Sequence, residues 1–161
     1  MNKQAYMIYP IGKINSKNGM FIITLDKEKR EALIELDGFS HIQIFWWGHL
    51  FDQKEYRNVN IAEKPYKKSP DKIGIFATRS PVRPNPILVT TVPVIDIDHE
   101  KGEITIPFID AEENSPLVDI KGYYPFERVK DLKVPQWCSH WPQWYEDSAS
   151  FDWAAEFENA Q

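Results

Sequence analysis

Nine residues, His41 to His49, limit this chain more than any other stretch. In an extended strand Ile42, Ile44 and Trp46 point one way, while His41, Gln43, Phe45, Trp47 and His49 point the other. The first set reads as plain core. The second mixes aromatic and polar groups, which suits the wall of a pocket better than a core. A strand with one face in the core needs partners, and the flanking sequence offers them.

Tyr6 to Ile14 and Met20 to Leu25 are β-rich runs separated by the turn-like Asn15 to Gly19. Ile73 to Ala77 and Ile87 to Asp96 read as strands. Asp96 to Gly102 closes a hairpin into Glu103 to Ile109, and Leu117 to Ile120 is another short strand. Between them, Lys27 to Leu36 reads as a short helix with Ala32, Leu33 and Leu36 on one face and Gly38 at its C-terminal cap. Phe51 to Lys72 has no sustained period and reads as a long exposed loop, a kind that is usually functional or mobile. After Pro125 the texture turns aromatic, with Trp137, Trp141 and Trp144, and Ser148 or Ser150 is placed to cap a last helix carrying Phe151, Ala154 and Phe157. The expected fold is mainly antiparallel β, a single sheet closed or nearly so into a barrel over residues 1–125, with short helices. Residues 126–161 are expected as a helical and aromatic extension packed on it.

The single cysteine, Cys138, excludes an internal disulfide and a cysteine-cluster metal site. His41 and His49, eight apart on a strand, make no convincing metal set. Met1 to Tyr6 has no apolar signal core, and the uncharged stretch Gly38 to Phe51 is too short for a bilayer. The cytoplasm is the expected compartment. A net charge of −5 argues against a generically basic nucleic-acid binder. The charge is uneven, however. Lys54 to Arg83 holds eight basic and three acidic residues, net +5, whereas His140 to Gln161 holds five acids and no Lys or Arg. The basic stretch is either ordinary surface variation or a local phosphate-reading patch.

Gly74 to Pro86 is the most informative segment for chemistry. Pro81, Pro84 and Pro86 fix φ at three points and push their preceding residues toward extended geometry. Arg79 and Arg83 ride on that frame, so their guanidinium forks lose less entropy on engaging a carboxylate or phosphate. Pairing with surface acids is the alternative. A second segment, Asp110 to Tyr123, contains the turn Asn114-Ser115-Pro116, whose backbone groups are open to a ligand. Asp119 and Lys121 share one side of the strand that follows, the usual pattern of a salt-bridged sheet surface.

The runs Phe76-Ala77-Thr78-Arg79-Ser80, Arg83-Pro84-Asn85-Pro86-Ile87 and Pro116-Leu117-Val118-Asp119-Ile120-Lys121 resemble, in that order, the signature of the TrmO/TsaA-like family. Pro10 to Ile14 and Gly38 to Ile42 match its opening strand and its strand before the site, so the resemblance covers roughly residues 8 to 125. It implies a single-sheet β-barrel, binding of S-adenosyl-L-methionine near a homodimer interface, and methylation of N6 of threonylcarbamoyladenosine beside the tRNA anticodon. By position it implies His49 and Arg79 as catalytic residues. It implies His49, Arg83, Asp110, Ser115, Pro116 and Leu117 as cofactor-binding residues, with no metal. The chain departs from the family where Asn15 to Gly19 replaces a Pro-Arg-Gln segment and Leu88 replaces a glycine. Its short acidic tail also replaces the C-terminal domain of longer members.

Methyl transfer from a sulfonium is an in-line displacement that demands alignment and little water. Trp47 is suited to face the sulfonium or adenine, and His49 either orients the acceptor and takes its proton or is a hydrogen-bonded wall residue. Three functions stay open on the sequence: tRNA methylation with the Lys54–Arg83 loop as RNA contact, methylation of a small-molecule acceptor, or a non-catalytic S-adenosylmethionine- or RNA-binding module.

Overall fold

The computed structural model describes residues 4–159; Met1 to Lys3, part of the segment read above for its lack of an apolar core, lie outside them. Along the chain the strands are β1 (Gly12–Lys17), β2 (Met20–Leu25), β3 (His41–Trp47), β4 (Ile61–Glu63), β5 (Lys72–Gly74), β6 (Ile87–Pro93), β7 (Asp96–Asp98), β8 (Glu103–Ile106) and β9 (Ser115–Gly122). Two short helices, α1 (Lys54–Arg57) and α2 (Trp153–Glu156), accompany them. The chain divides into a first unit, Met1–Asp52 with Pro86–Glu127, and a second, Gln53–Asn85 with Arg128–Gln161. The extension expected over 126–161 thus shares its unit with an internal segment.

In the first unit the strands lie in the order β6-β3-β9-β1-β2-β8-β7, and every neighbouring pair is antiparallel. The expectation of a mainly antiparallel β fold is met. A closed ring of paired strands is not found among the described residues. β6 and β7 end the order, and the chain itself runs from one to the other through a bend. There Val94 N–H donates to Ser40 O at 3.0 Å and Ile95 N–H to Thr105 O at 2.9 Å. Adjacent residues thus serve opposite ends of the sheet, which splits the strand expected over Ile87 to Asp96.

The first hairpin turns on Asn18 and Gly19 alone, at φ 54° and 77°, the left-handed pair that matches the twist of the strands it joins. Lys17 therefore faces Met20, and Asn15 to Lys17, expected in the turn, belong to β1. The strand expected from Tyr6 begins only at Gly12, because Pro10 has no N–H for a ladder. Gly12 sits between Leu25 and Leu117, where a Cβ would stand 2.1 Å from Thr24 O.

β3 alternates as its sequence requires: Ile42, Ile44 and Trp46 are buried, and the intervening residues are half-buried. They join Ile14, Ile23, Leu25, Leu33, Val92, Ile104, Ile106, Ile109 and Leu117 in one core. Against β9 the register slips between Phe45 and Trp46, with Asp119 opposite the first and Leu117 opposite the second. The bulge leaves Val118 and Asp119 both off the core side, so Ser115 and Leu117 point inward before it and Ile120 after it.

The helix expected over Lys27 to Leu36 is instead a 3₁₀ turn, Lys27–Leu33, and a second, Leu36–Gly38, with Glu35 at φ 67° between them. A 3₁₀ turn eclipses residues three apart, and only Leu33 is buried across both turns. Gly38 falls inside the second turn and caps nothing.

In the second unit the expected loop Phe51 to Lys72 contains α1 and β4, and β4 pairs with β5 from Ile61–Gly74 to Glu63–Lys72. The strand expected over Ile73 to Ala77 gives way at Ile75 to a 3₁₀ turn, Ile75–Ala77. The C-terminal segment runs along residues 65–67: Lys67 N–H donates to Glu156 O and Glu158 N–H to Pro65 O, both at 3.0 Å. Asp152 caps α2 by accepting from Ala155 N–H at 3.0 Å, in place of the serines expected there. An aromatic cluster holds this unit. Tyr66 stacks on Trp137 at 5.3 Å and meets the edge of Trp141 at 5.0 Å, and Trp141 in turn meets Trp153.

Candidate functional site

The residues singled out by sequence fall in both units. In the first, β3 ends at Trp47 and the chain is tied to the start of β6 by Gly48 N–H donating to Pro86 O at 2.8 Å. His49 opens the 3₁₀ turn His49–Phe51, just beyond the strand on which it was expected. Its Nδ1 is buried and has no hydrogen-bond partner among the described residues. Such an atom is costly to leave unpaired; the other buried, unpartnered side-chain atom in this unit among the described residues is Arg30 Nε, on a side chain whose Nη1 is held by Glu100 O. Trp47, next to it, turns its indole N–H to Asp52 at 3.0 Å, which fixes the ring.

The turn from Asp110 leads into β9. Asp110 is exposed, Ser115 and Leu117 are buried, and Pro116 is half-buried. Leu117 is a core side chain whose carbonyl accepts from Ile11 N–H at 2.9 Å; its side chain therefore faces the core and not a ligand. Asn114 stands at φ 62°, which lets Ser115 N–H return to Glu112 O at 3.1 Å.

This turn is latched to the first hairpin, a feature sequence reading missed. The Glu113 carboxylate accepts from Asn15 Nδ2 at 2.7 Å, Ser16 N–H at 2.9 Å and Ser16 Oγ at 3.0 Å. These donors, the Ser16 backbone foremost, hold its carboxyl below the usual carboxylate range. The spacing of nearly a hundred residues leaves no local signal for the pairing. Farther along β9, Lys121 pairs with Asp119, as the sequence pattern suggested.

In the second unit, Arg79 and Arg83 ride on a backbone pinned by other side chains. Thr78 is buried, and its Oγ1 donates to Ile75 O at 2.8 Å while accepting from Ser80 N–H at 3.2 Å. Ser80 Oγ accepts from Val82 N–H at 3.1 Å. Arg57 reaches across with Nε on Pro84 O and Nη2 on Asn85 Oδ1, both at 3.0 Å. The phenol of Tyr66, 8% exposed, accepts from Arg79 N–H, and burial pushes its pKa up. Arg79 itself is exposed. Arg83 is half-buried, with no side-chain hydrogen bond or ion pair among the described residues.

The positive segment is less uniform than its charge count. Arg57 is committed to the proline-rich turn, Lys64 to Ser69 O at 2.9 Å and Lys72 to Glu63 at 3.6 Å. Lys67 and Lys68 are exposed at the Tyr66 turn. No group of three or more His, Cys, Asp or Glu placed to hold a metal exists among the described residues. Nor is any helix there long and apolar enough to cross a membrane.

These paired motifs on an antiparallel sheet match a known family model, described as the tRNA-methyltransferase O N-terminal domain, over residues 6–127. The chain belongs to the tRNA-methyltransferase O N-terminal domain family. Among members of this family, a Pyrococcus horikoshii protein named "Probable S-adenosyl-L-methionine-binding protein" is 38% identical over 122 residues, 75% of this chain and 85% of its own length. The Escherichia coli tRNA (adenine(37)-N6)-methyltransferase is 30% identical over 117 residues, 71% of this chain but 49% of the enzyme. The chain thus spans about half of that enzyme. The crystal structure of TrmO from Pseudomonas aeruginosa shares the fold, with a TM-score of 0.61 at 24% identity over 81% of this chain and 62% of that one.

Proposed function

We propose that this chain transfers a methyl group from S-adenosyl-L-methionine to N6 of an adenine nucleoside in tRNA, with threonylcarbamoyladenosine beside the anticodon as the acceptor. Family membership supports the reaction class, and relatives from Escherichia coli and mouse carry the name tRNA (adenine(37)-N6)-methyltransferase. The observation that carries it within this chain is the buried, unpartnered Nδ1 of His49 just beyond β3.

The cofactor's carboxylate and ammonium need opposite partners: in the second unit Arg83 is a half-buried cation of the chemistry that suits the carboxylate, and in the first Asp110 is an exposed anion of the chemistry that suits the ammonium. Ser115 and Pro116 offer backbone groups at a turn, and Leu117 contributes by fixing that turn to the core. The bound cofactor supplies an electrophilic methyl on a sulfonium. The chain's own residues then have two tasks. Alignment falls to the latched turn at Ser115 and to Arg83. His49, with its unpartnered ring nitrogen, orients the acceptor amine and takes the N6 proton as the N–C bond forms and the methyl leaves sulfur. Arg79 holds charge on the nucleotide that carries the acceptor.

Finer features belong to the same reading: the β6–β7 bend completes a barrel, the chain works in the cytoplasm as a homodimer, and the basic Lys54–Arg83 segment meets the tRNA. The decisive experiment is incubation with methyl-labelled S-adenosylmethionine and unfractionated tRNA, followed by mass spectrometry of the digested nucleosides. Label on threonylcarbamoyladenosine is expected. Cofactor binding with no label in RNA would overturn the acceptor and point to a small molecule. Replacing Arg83 with Ala is expected to weaken cofactor binding about tenfold, measured by calorimetry; unchanged affinity removes Arg83 from the cofactor site.

A further inference from the structure

We propose that the ring of Phe76 is a stacking platform for one unpaired base of the RNA substrate, an inference that rests on the tRNA reading above. Phe76 is 79% exposed although both anchors of its turn are buried, Ile75 at 3% and Thr78 at 7%. Ile75 N–H donates to Asn60 O at 2.9 Å, and Thr78 N–H returns to Ile75 O at 3.0 Å. Arg79 N–H is held by the buried Tyr66 phenol. The ring is therefore presented on a pinned backbone and loses little freedom when a flat partner settles on it.

A single exposed aromatic is ordinary on a protein surface. The charge around this one is not. Arg79 is exposed three residues on, and Lys67 and Lys68 are exposed beside Tyr66, to which Arg79 is bonded. Three other strongly exposed rings stand in different company. Phe126 is already stacked on Tyr124 at 5.4 Å, Trp144 is followed by Glu146 and Asp147, and Phe108 packs edge-on to Phe21. Around Phe76 the exposed Arg79 guanidinium stands with Ala77 and with Ile61, which faces Gly74 across the ladder, a mixed surface in which a charge lies close to the one aromatic face. A single π-face amid cations is the pattern that binds an unstacked base next to a phosphate chain. A paired duplex hides its base faces, so the ligand is a single-stranded loop.

The test uses the full chain and two labelled RNAs, a stem-loop of anticodon-arm size and a fully paired duplex of equal length, with binding read by fluorescence anisotropy. Phe76→Ala is expected to weaken stem-loop binding about 5- to 150-fold. Duplex binding, melting temperature and S-adenosylmethionine affinity are expected to stay unchanged, and Phe76→Trp to restore the loop. Wild-type stem-loop binding that Phe76→Ala leaves intact overturns the stacking role while the tRNA reading stands. A wild-type chain that binds neither RNA overturns both. A change of oligomeric state in Phe76→Ala, with RNA binding intact, gives the ring to a second copy of the chain and also overturns the proposal.

Discussion

The two units of this chain are held together by different physics. The sheet unit is an antiparallel ladder over an aliphatic core, in which Ile14, Ile23, Ile42, Ile44, Ile104, Ile106 and Leu117 have no exposed surface. The second unit has a short two-stranded ladder, β4 with β5. It is held instead by rings around Tyr66 and by side chains bonded to backbone: Thr78 on Ile75, Arg57 on Pro84, Lys64 on Ser69. A ladder with a dry core melts as one body. A frame of separate side-chain bonds can be loosened one bond at a time, which makes it the more adjustable of the two.

The sharpest way to break that contrast is a cavity in each unit. Ile44 lies on the central strand with no exposure, so Ile44→Ala is expected to destabilise the sheet by about 2–5 kcal/mol. Denaturant unfolding followed by far-ultraviolet circular dichroism should show the loss as a single shifted transition. Trp141 touches Tyr66, Trp137 and Trp153 but is only half-buried, and Trp141→Ala is expected to cost about 2 kcal/mol. Its effect should be local, with new protease cuts within residues 128–159 and an unmoved sheet transition. If Trp141→Ala shifts the sheet transition as far as Ile44→Ala does, the units are one cooperative body and the contrast fails.

How much of this was legible follows the same division. Period two over His41 to Trp47 fixed the central strand because a half-buried strand must alternate, and the burial pattern of β3 follows it residue by residue. Lys27 to Leu36 misled because apolar spacing of three and four suits an α-helix, whereas 3₁₀ turns require less burial than that spacing suggests; Ile34 is 68% exposed. Asp152 caps α2 where Ser148 or Ser150 is expected, because all three are competent Ncap residues and the local sequence does not choose among them. In the second unit little was legible beyond the proline frame and its two arginines. Tyr66 sits between Pro65 and two lysines and reads as solvent, and Arg57 reads as one more cation. Their partners are 13 and 27 residues away, so no period or local motif announces them.

A gentler probe of the second unit is pH. The Glu156 carboxylate pairs with His140 Nε2 at 3.0 Å and accepts from Trp141 Nε1 at 3.2 Å. Its pKa lies below its usual 4.5, chiefly through the His140 bond. A carboxylate depressed on folding stabilises the fold above its unfolded pKa, and that contribution is lost as pH falls through the lowered folded value. Tryptophan fluorescence of the aromatic cluster should therefore change on acidification below about pH 4.5, before the sheet signal does. Glu156→Gln should abolish that early step; if the step persists in the variant, another group controls it.

The smallest expected effect on stability is also the one most specific to function. Glu113 is exposed and its pKa is lowered by Ser16 and Asn15, so its bonds contribute little to the stability of the sheet, which has its own ladder and core. Their consequence lies in the turn they hold, where Asn114 is kept left-handed and Ser115 enters β9. In Glu113→Ala the ladder from Gly12 to Lys17 remains, and the hairpin and the turn stay joined only by the Ile14–Ser115 pairing and by Asn15 Nδ2 donating to Asn114 Oδ1 at 3.0 Å. The melting temperature is expected to change by no more than a degree or two, and S-adenosylmethionine affinity to fall by about tenfold or less. Ser16→Ala, which removes one donor and leaves the Ser16 backbone N–H in place, should fall between the variant and the wild type. A Glu113→Ala chain that binds the cofactor as tightly as the wild type would mean that the turn is stiff without its latch, and that Asn114 and the β9 pairing alone position it.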